Sequence, residues 1–182
     1  MNWTLKRARL LVAVSLLAVV TASSTQAAPT DVPLSLARDG YFYVNAKTTT
    51  IDGKTYITDQ MYVEVRVPAR QTHAYPIVMV HGGTMSGVNY TGTPDGREGW
   101  AQYFVRAGYA VYVVDQPGRG RSGYLPATYG AARNVESSNS RPRFVAQEKS
   151  KLWPQAILHT QWPGSGDLDD PAAQQVMASA PI

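Results

Sequence analysis

The sequence has no cysteine. That excludes a disulfide scaffold, a thiolate metal site and a cysteine nucleophile. It also has no apolar run long enough to cross a bilayer comfortably: the longest, Leu10 to Val20 (LLVAVSLLAVV), has 11 residues. Charged residues are 16% of the chain and nowhere form a basic stripe of the kind a nucleic-acid binder presents. What is present is ordinary for a globular protein. Hydrophobic residues are 44%, with 15 Gly and 12 Pro among 182 residues, which argues against wholesale disorder and against a collagen-like fibre. The length suits one domain with a sizeable core.

The first 27 residues read as an export signal. Lys6, Arg7 and Arg9 make a basic start, the apolar run follows, and small and polar residues lead to Thr25-Gln26-Ala27 before Ala28-Pro29. This is the layout of a secretory signal peptide cut near Ala27, so the mature chain is expected in the periplasm or outside the cell, with no membrane partner beyond export. Taking those three basic residues from the total of 17 leaves 14 against 13 acids, so the basic character of the whole owes much to the export segment. Arg119, Arg121, Arg133, Arg141 and Arg143 cluster loosely, with acids on both sides, and read as a solvated surface.

From Tyr41 to Ile51 the residues favour strand, and Asp52-Gly53 is the strongest short hairpin signal. On the return strand Met61, Val63, Val65 and Val67 alternate with Tyr62, Glu64 and Arg66. That predicts one buried and one wet face, at a sheet edge. Ile77 to Val80 is continuously apolar, as for a strand covered on both faces. Asp95, with Glu98 three residues on, predicts a helix start; Trp100, Tyr103, Phe104 and Ala107 form one stripe, and Gly108 a stop. Tyr109 to Val114 is a second buried strand ending at Asp115. Strand, helix and strand with short joints predict a βαβ unit with parallel strands. After Gly123 the patterning fades. Short helices are expected within Lys149–His159, broken at Pro154, and over Ala172–Ala180.

Two loops fall at the C-terminal ends of the two apolar strands, the edge of an open α/β sheet where ligands bind. In His81-Gly82-Gly83-Thr84 the glycines let backbone approach a ligand and leave amides free to face a developing oxyanion. The second loop, Asp115 to Gly123, contains G-R-G-R-S-G. A dinucleotide fingerprint must open a helix with a partner strand and an acid downstream. Tyr124-Leu125-Pro126 is not expected to start one, so no nicotinamide, flavin or other cofactor is expected.

PIVMVHGGTMSG, the helix, and then YAVYVVDQPGRGRSG resemble the N-terminal half of an α/β-hydrolase. In that family an HG-x turn after the third strand supplies an oxyanion donor, and a D-x-x-G-x-G-x-S loop follows the fourth. Asp115, Gly118, Gly120 and Ser122 fit that second pattern position by position. LWPQAILHTQWPGSGD is similar to a segment that leads into the cap of secreted, esterase-like members. The resemblance implies that the N–H of Gly83 or Thr84 is an oxyanion donor. It makes His81 and Gly82 part of a structural turn, and Asp115, Gly118, Gly120 and Ser122 its supporting loop. The implied substrate is a small-molecule ester.

The family's nucleophile sits in G-x-S-x-G, with its acid and histidine later in the chain. Ser86, Ser122 and Ser165 all lack glycine at one or both flanking positions, and the histidines are only His73, His81 and His159. No catalytic residue is therefore expected in this chain. Asp167, Asp169 and Asp170 near His159 match no calcium loop, and no metal is expected. The expected fold is α/β: the N-terminal half of a hydrolase sheet, an antiparallel edge hairpin plus a parallel βαβ unit. The expected organisation is a signal peptide over 1–27, the N-terminal part of the hydrolase domain over 28–130, and the start of a cap over 131–182, truncated before the nucleophile. Such a chain is expected to be inactive alone. The alternative is a non-catalytic secreted α/β binding module.

Overall fold

The computed structural model describes residues 32–134 and 136–179, so the expected export segment lies outside the described residues. The chain opens with β1 (Leu36–Val44), β2 (Lys47–Ile51), β3 (Lys54–Thr58) and β4 (Met61–Pro68). It continues with β5 (Ile77–Val80), α1 (Trp100–Arg106) and β6 (Val111–Asp115). A four-stranded sheet runs in the order β1-β4-β6-β5. β4 is antiparallel to both neighbours, and β5 is parallel to β6 with Ile77 opposite Val111 and Val80 opposite Val114. The architecture is α/β, and the βαβ unit is as expected.

The hairpin forms at Asp52-Gly53, where φ is 49° and 71°, as the tight turn favoured by strand twist requires. It belongs, however, to a separate two-stranded ribbon, β2 with β3. Asn45 and Asp59 interrupt the ladder with φ of 58° and 59°. The long strand expected over 41–51 is therefore two strands, and β1 pairs with β4 beyond the break. β1 takes the sheet edge and β4 lies inside. The face of β4 expected to be wet is covered too. Tyr62 is 8% exposed because the Arg121 guanidinium lies 3.9 Å above its ring, and Glu64 takes ion pairs from Arg121 and Arg66.

Strand β6 is buried nearly throughout. One core joins Met79, Val111 and Val113 to Ala101 and Val105 of α1. Each fully buried valine contributes roughly 1.5–3 kcal/mol. Strand β5 departs from expectation: Val78 and Val80 are 58% and 53% exposed. It is the outer strand, and α1 covers only its Met79 face.

Helix α1 starts at Gly99, whose N–H donates to Gln102 Oε1 at 3.2 Å, not at Asp95. Asp95 instead closes a turn with Thr93 and Arg97. The helix also faces the other way from the expected stripe. Small Ala101 and Val105 enter the core with Phe104 beside them, while Trp100 and Tyr103 stay exposed. Gly108 ends the helix as expected, with φ of 92°.

Past the sheet come α2 (Pro126–Tyr129), α3 (Ser137–Phe144), α4 (Gln147–Ser150) and α5 (Pro171–Ala178). Pro126 does start a helical turn, contrary to expectation, because proline is tolerated at the first helical position. The expected helix around Pro154 is two pieces, α4 and a 3-10 turn over Pro154–Leu158. Asp170 caps α5 by accepting from the Ala172 amide at 2.9 Å. A second small core of Val145, Ala146 and Ala173 joins these elements.

Candidate functional site

Because β5 and β6 are parallel and in register, the chain leaves Val80 and Val114 at the same rim. The two glycine-bearing turns therefore start side by side. His81 ties them together. Its Nε2 accepts the Gln116 N–H at 3.0 Å, and the Gln116 side-chain amide donates to the His81 carbonyl at 2.8 Å. Its Nδ1 lies 2.8 Å from the Gly82 carbonyl, so that nitrogen carries the proton. Both ring nitrogens are occupied and the residue is buried, which leaves no lone pair for proton abstraction.

The next three residues bend outward. The Met85 amide closes the turn on the Gly82 carbonyl at 3.2 Å. The Gly83 and Thr84 amides have no acceptor among the described residues, and both residues are exposed. Thr84 has φ of 63°, an uncommon conformation for a β-branched residue. It borders a cleft of about 750 Å³ that Gly118 and Arg119 border from the second turn.

Asp115 holds the second turn to the first. Its carboxylate is buried; Oδ1 accepts the Gly87 amide at 2.6 Å, and Oδ2 accepts the Arg121 amide and Nε, each at 2.8 Å. Burial alone would raise its pKa. The Arg121 side chain and the two amides outweigh burial and hold it below the ordinary carboxylate value. Burial likewise works against the Arg121 charge, and hydrogen bonds to Asp115 and Glu64 more than offset it, so its pKa is raised. Ser122 is buried and bridges two strands, donating to the Asp115 carbonyl and accepting the Tyr62 amide at 2.8 Å.

The glycines of this loop are required by space. Gly118 has φ of 76° and lies against the Tyr129 ring. Gly120 has φ of 47°, and a Cβ there would sit 2.6 Å from Asp115 Oδ2. Gly120→Ala is expected to cost about 2–4 kcal/mol, adding a left-handed penalty to displacement of a buried carboxylate. Gly82→Ala, where a Cβ meets nothing within 4 Å, is expected to stay within about 0.5 kcal/mol of the parent. Urea unfolding of the two variants checks the contrast.

Over 150 residues the chain is 43% identical to a probable secreted lipase of a fungal species (strain ATCC 74256). The chain is a partial relative of the esterase-like α/β-hydrolases. The match covers 78% of this chain, and the chain spans 38% of the length of that lipase. A bacterial esterase of known structure is 38% identical, with a TM-score of 0.49, over 58% of this chain and 37% of the esterase. No family model matches.

The structure of this hydrolase relative brings six of the eight singled-out residues into the tie between the two turns or the loop beyond: His81, Gly82, Asp115, Gly118, Gly120 and Ser122. Gly83 and Thr84 stay outside that tie, and Thr84 borders the cleft. Ser86 is elsewhere engaged, its Oγ donating to the Ser179 carbonyl at 3.2 Å. His159 packs edge-on against Trp153. Neither therefore forms a dyad with the other or with His81. Among the described residues no cluster of three or more His, Asp or Glu could hold a metal. Asp170 is spent on Trp162 Nε1 at 3.0 Å, the Gly166 amide at 2.7 Å and the α5 cap. Sequence reading missed Arg121, Glu64 and Tyr62 as the outer brace of Asp115. It also missed the Gly87 amide. The signal available was the charged side of β4, read as a wet face.

Proposed function

We propose that this chain carries the oxyanion side of an exported carboxylic-ester hydrolase. Residues 1–27 direct export, 28–130 form the N-terminal part of the catalytic domain, and 131–182 begin its cap. In the complete enzyme a serine attacks the ester carbonyl, a histidine moves its proton, and an acid orients that histidine. The carbonyl oxygen becomes negative in the transition state. The Gly83 and Thr84 amides donate to it, and they do so with little reorganisation because Asp115 and His81 hold the turn in place. His81 is a positioning residue. The observation that carries this reading is the pair of acceptor-free amides, Gly83 and Thr84, just past the rim shared by two parallel strands, with Thr84 bordering the cleft.

The nucleophile, the acid and the catalytic histidine are not among these 182 residues, so the chain alone is expected to leave p-nitrophenyl esters intact. Turnover that survives purification and persists in Ser86→Ala would overturn the inactive reading. The positive test exchanges the aligned segment of the secreted lipase for the matching residues of this chain. Retained ester hydrolysis in the exchange protein supports the assignment. A folded exchange protein with no hydrolysis opposes it.

A further inference from the structure

Five arginines that look alike in sequence have different fates in the fold. Arg121 is committed to Asp115, Glu64 and the Tyr62 ring. Arg141 donates to the Gly166 carbonyl at 2.6 Å. The other three, Arg119, Arg133 and Arg143, come from separate segments and border the same cleft of about 750 Å³ as Thr84. Among the described residues, the guanidinium groups of Arg133 and Arg143 have no ion-pair or hydrogen-bond partner.

The acid at this cleft is Glu136. Its oxygens are already engaged by the Ser138 amide at 3.0 Å and the Asn139 amide at 2.8 Å, at the start of α3. Two cations without a partner among the described residues, Arg133 and Arg143, therefore share this cleft with one carboxylate whose acceptor capacity is largely taken. The chain carries a formal net charge of +4, and these arginines place positive charge at a concavity, where low-dielectric walls focus the field. Guanidinium forks match the planar oxygens of a carboxylate and the oxygens of a phosphate. The Phe144 side chain lines the same space and offers an apolar surface.

We propose that this cleft binds an anionic small molecule, held by Arg133 and Arg143. Combined with the ester-hydrolase reading, on which this part rests, the substrate class is an ester that keeps a free carboxylate or phosphate on its acyl or alcohol part. The anion anchors at the arginines, and its ester carbonyl lies toward the Thr84 side of the cleft.

The test is binding to the full chain by calorimetry, with no turnover required. Monobenzyl succinate is the anionic probe, and benzyl methyl succinate its neutral counterpart of similar size. The expected preference for the anion is about tenfold, the worth of one charge-assisted hydrogen bond. It should shrink in high salt, where an ionic contact is screened. In Arg133→Gln/Arg143→Gln the preference should fall close to unity while Tm holds, since neither guanidinium is bonded into the fold. Equal binding of the two probes overturns the proposal. So does a preference that is indifferent to salt in the unaltered chain, or one that survives the double substitution. Because the readout is binding, it can fail while ester hydrolysis in the exchange protein stands, and the reverse also holds.

Discussion

Asp115→Ala is expected to cost about 3–5 kcal/mol, enough to consume most of the stability of a small domain. The carboxylate is buried and receives the Gly87 amide and three donors from Arg121, its amide, Nε and Nη2. Removing it strands both amides and leaves Arg121 with Glu64 as its remaining carboxylate partner. It also releases both ends of the site at once, since Gly87 follows the first turn and Arg121 closes the second. Urea unfolding of the variant beside the parent gives the number. Asp115→Asn keeps the volume and isolates the charge.

The sign of the pH dependence follows from the depressed pKa. A carboxylate whose folded value is lowered contributes its full stabilisation above the unfolded value, near 3.8, and loses it as pH falls through the lower folded value. The parent should therefore weaken on the acid side below about pH 4. Asp115→Asn should flatten that limb while lowering the plateau at neutral pH. An acid limb of equal steepness in both proteins would show that other carboxylates control it.

The second large effect concerns the oxyanion donor. In the exchange protein, Gly83→Pro is expected to lower kcat by about 100- to 1,000-fold, or roughly 3–4 kcal/mol, with KM and Tm nearly unchanged. Proline deletes the amide hydrogen, and it also fixes φ and narrows the freedom of Gly82 before it, which is why Tm is read beside kcat. Gly83 has no positive φ, a Cβ there meets nothing within 4 Å, and its amide bonds to nothing within the fold. A loss confined to kcat identifies an interaction made in the transition state. A matching fall in Tm would mean that the turn, and not the donor, had been damaged.

The sheet was legible where local chemistry allows one answer. Asp52-Gly53 needs two positive φ values in succession, which few other dipeptides supply. The run Val111-Tyr112-Val113-Val114, three β-branched residues and an aromatic, suits a buried strand. Helix α1 was misread because large aromatics look like core, whereas the gap between helix and sheet admits Ala101 and Val105 and turns Trp100 and Tyr103 outward. Hydropathy reports what a strand tolerates, not what comes to cover it, so the exposed face of β5 was invisible. The last third of the chain has little periodicity because its short helices are held by caps such as Glu136 and Asp170. At the site, Asp115 stood out within a motif. Its choice of Arg121 over Arg119 did not, because Tyr62 and Glu64 decide it from a distant strand.

The parallel pairing of β5 with β6 sets an order of assembly. The β2–β3 ribbon closes across two residues, and β1 and β4 can follow like a zipper from that turn. Strand β6 must wait until the stretch from His81 to Ala110 has collapsed around α1, and its pairing with β4 spans a longer connection still, an entropic delay that grows with the loop to be closed. The rim that gathers the free amides is therefore expected to be the last part of the sheet to mature during refolding, after most of the scaffold beneath it has set.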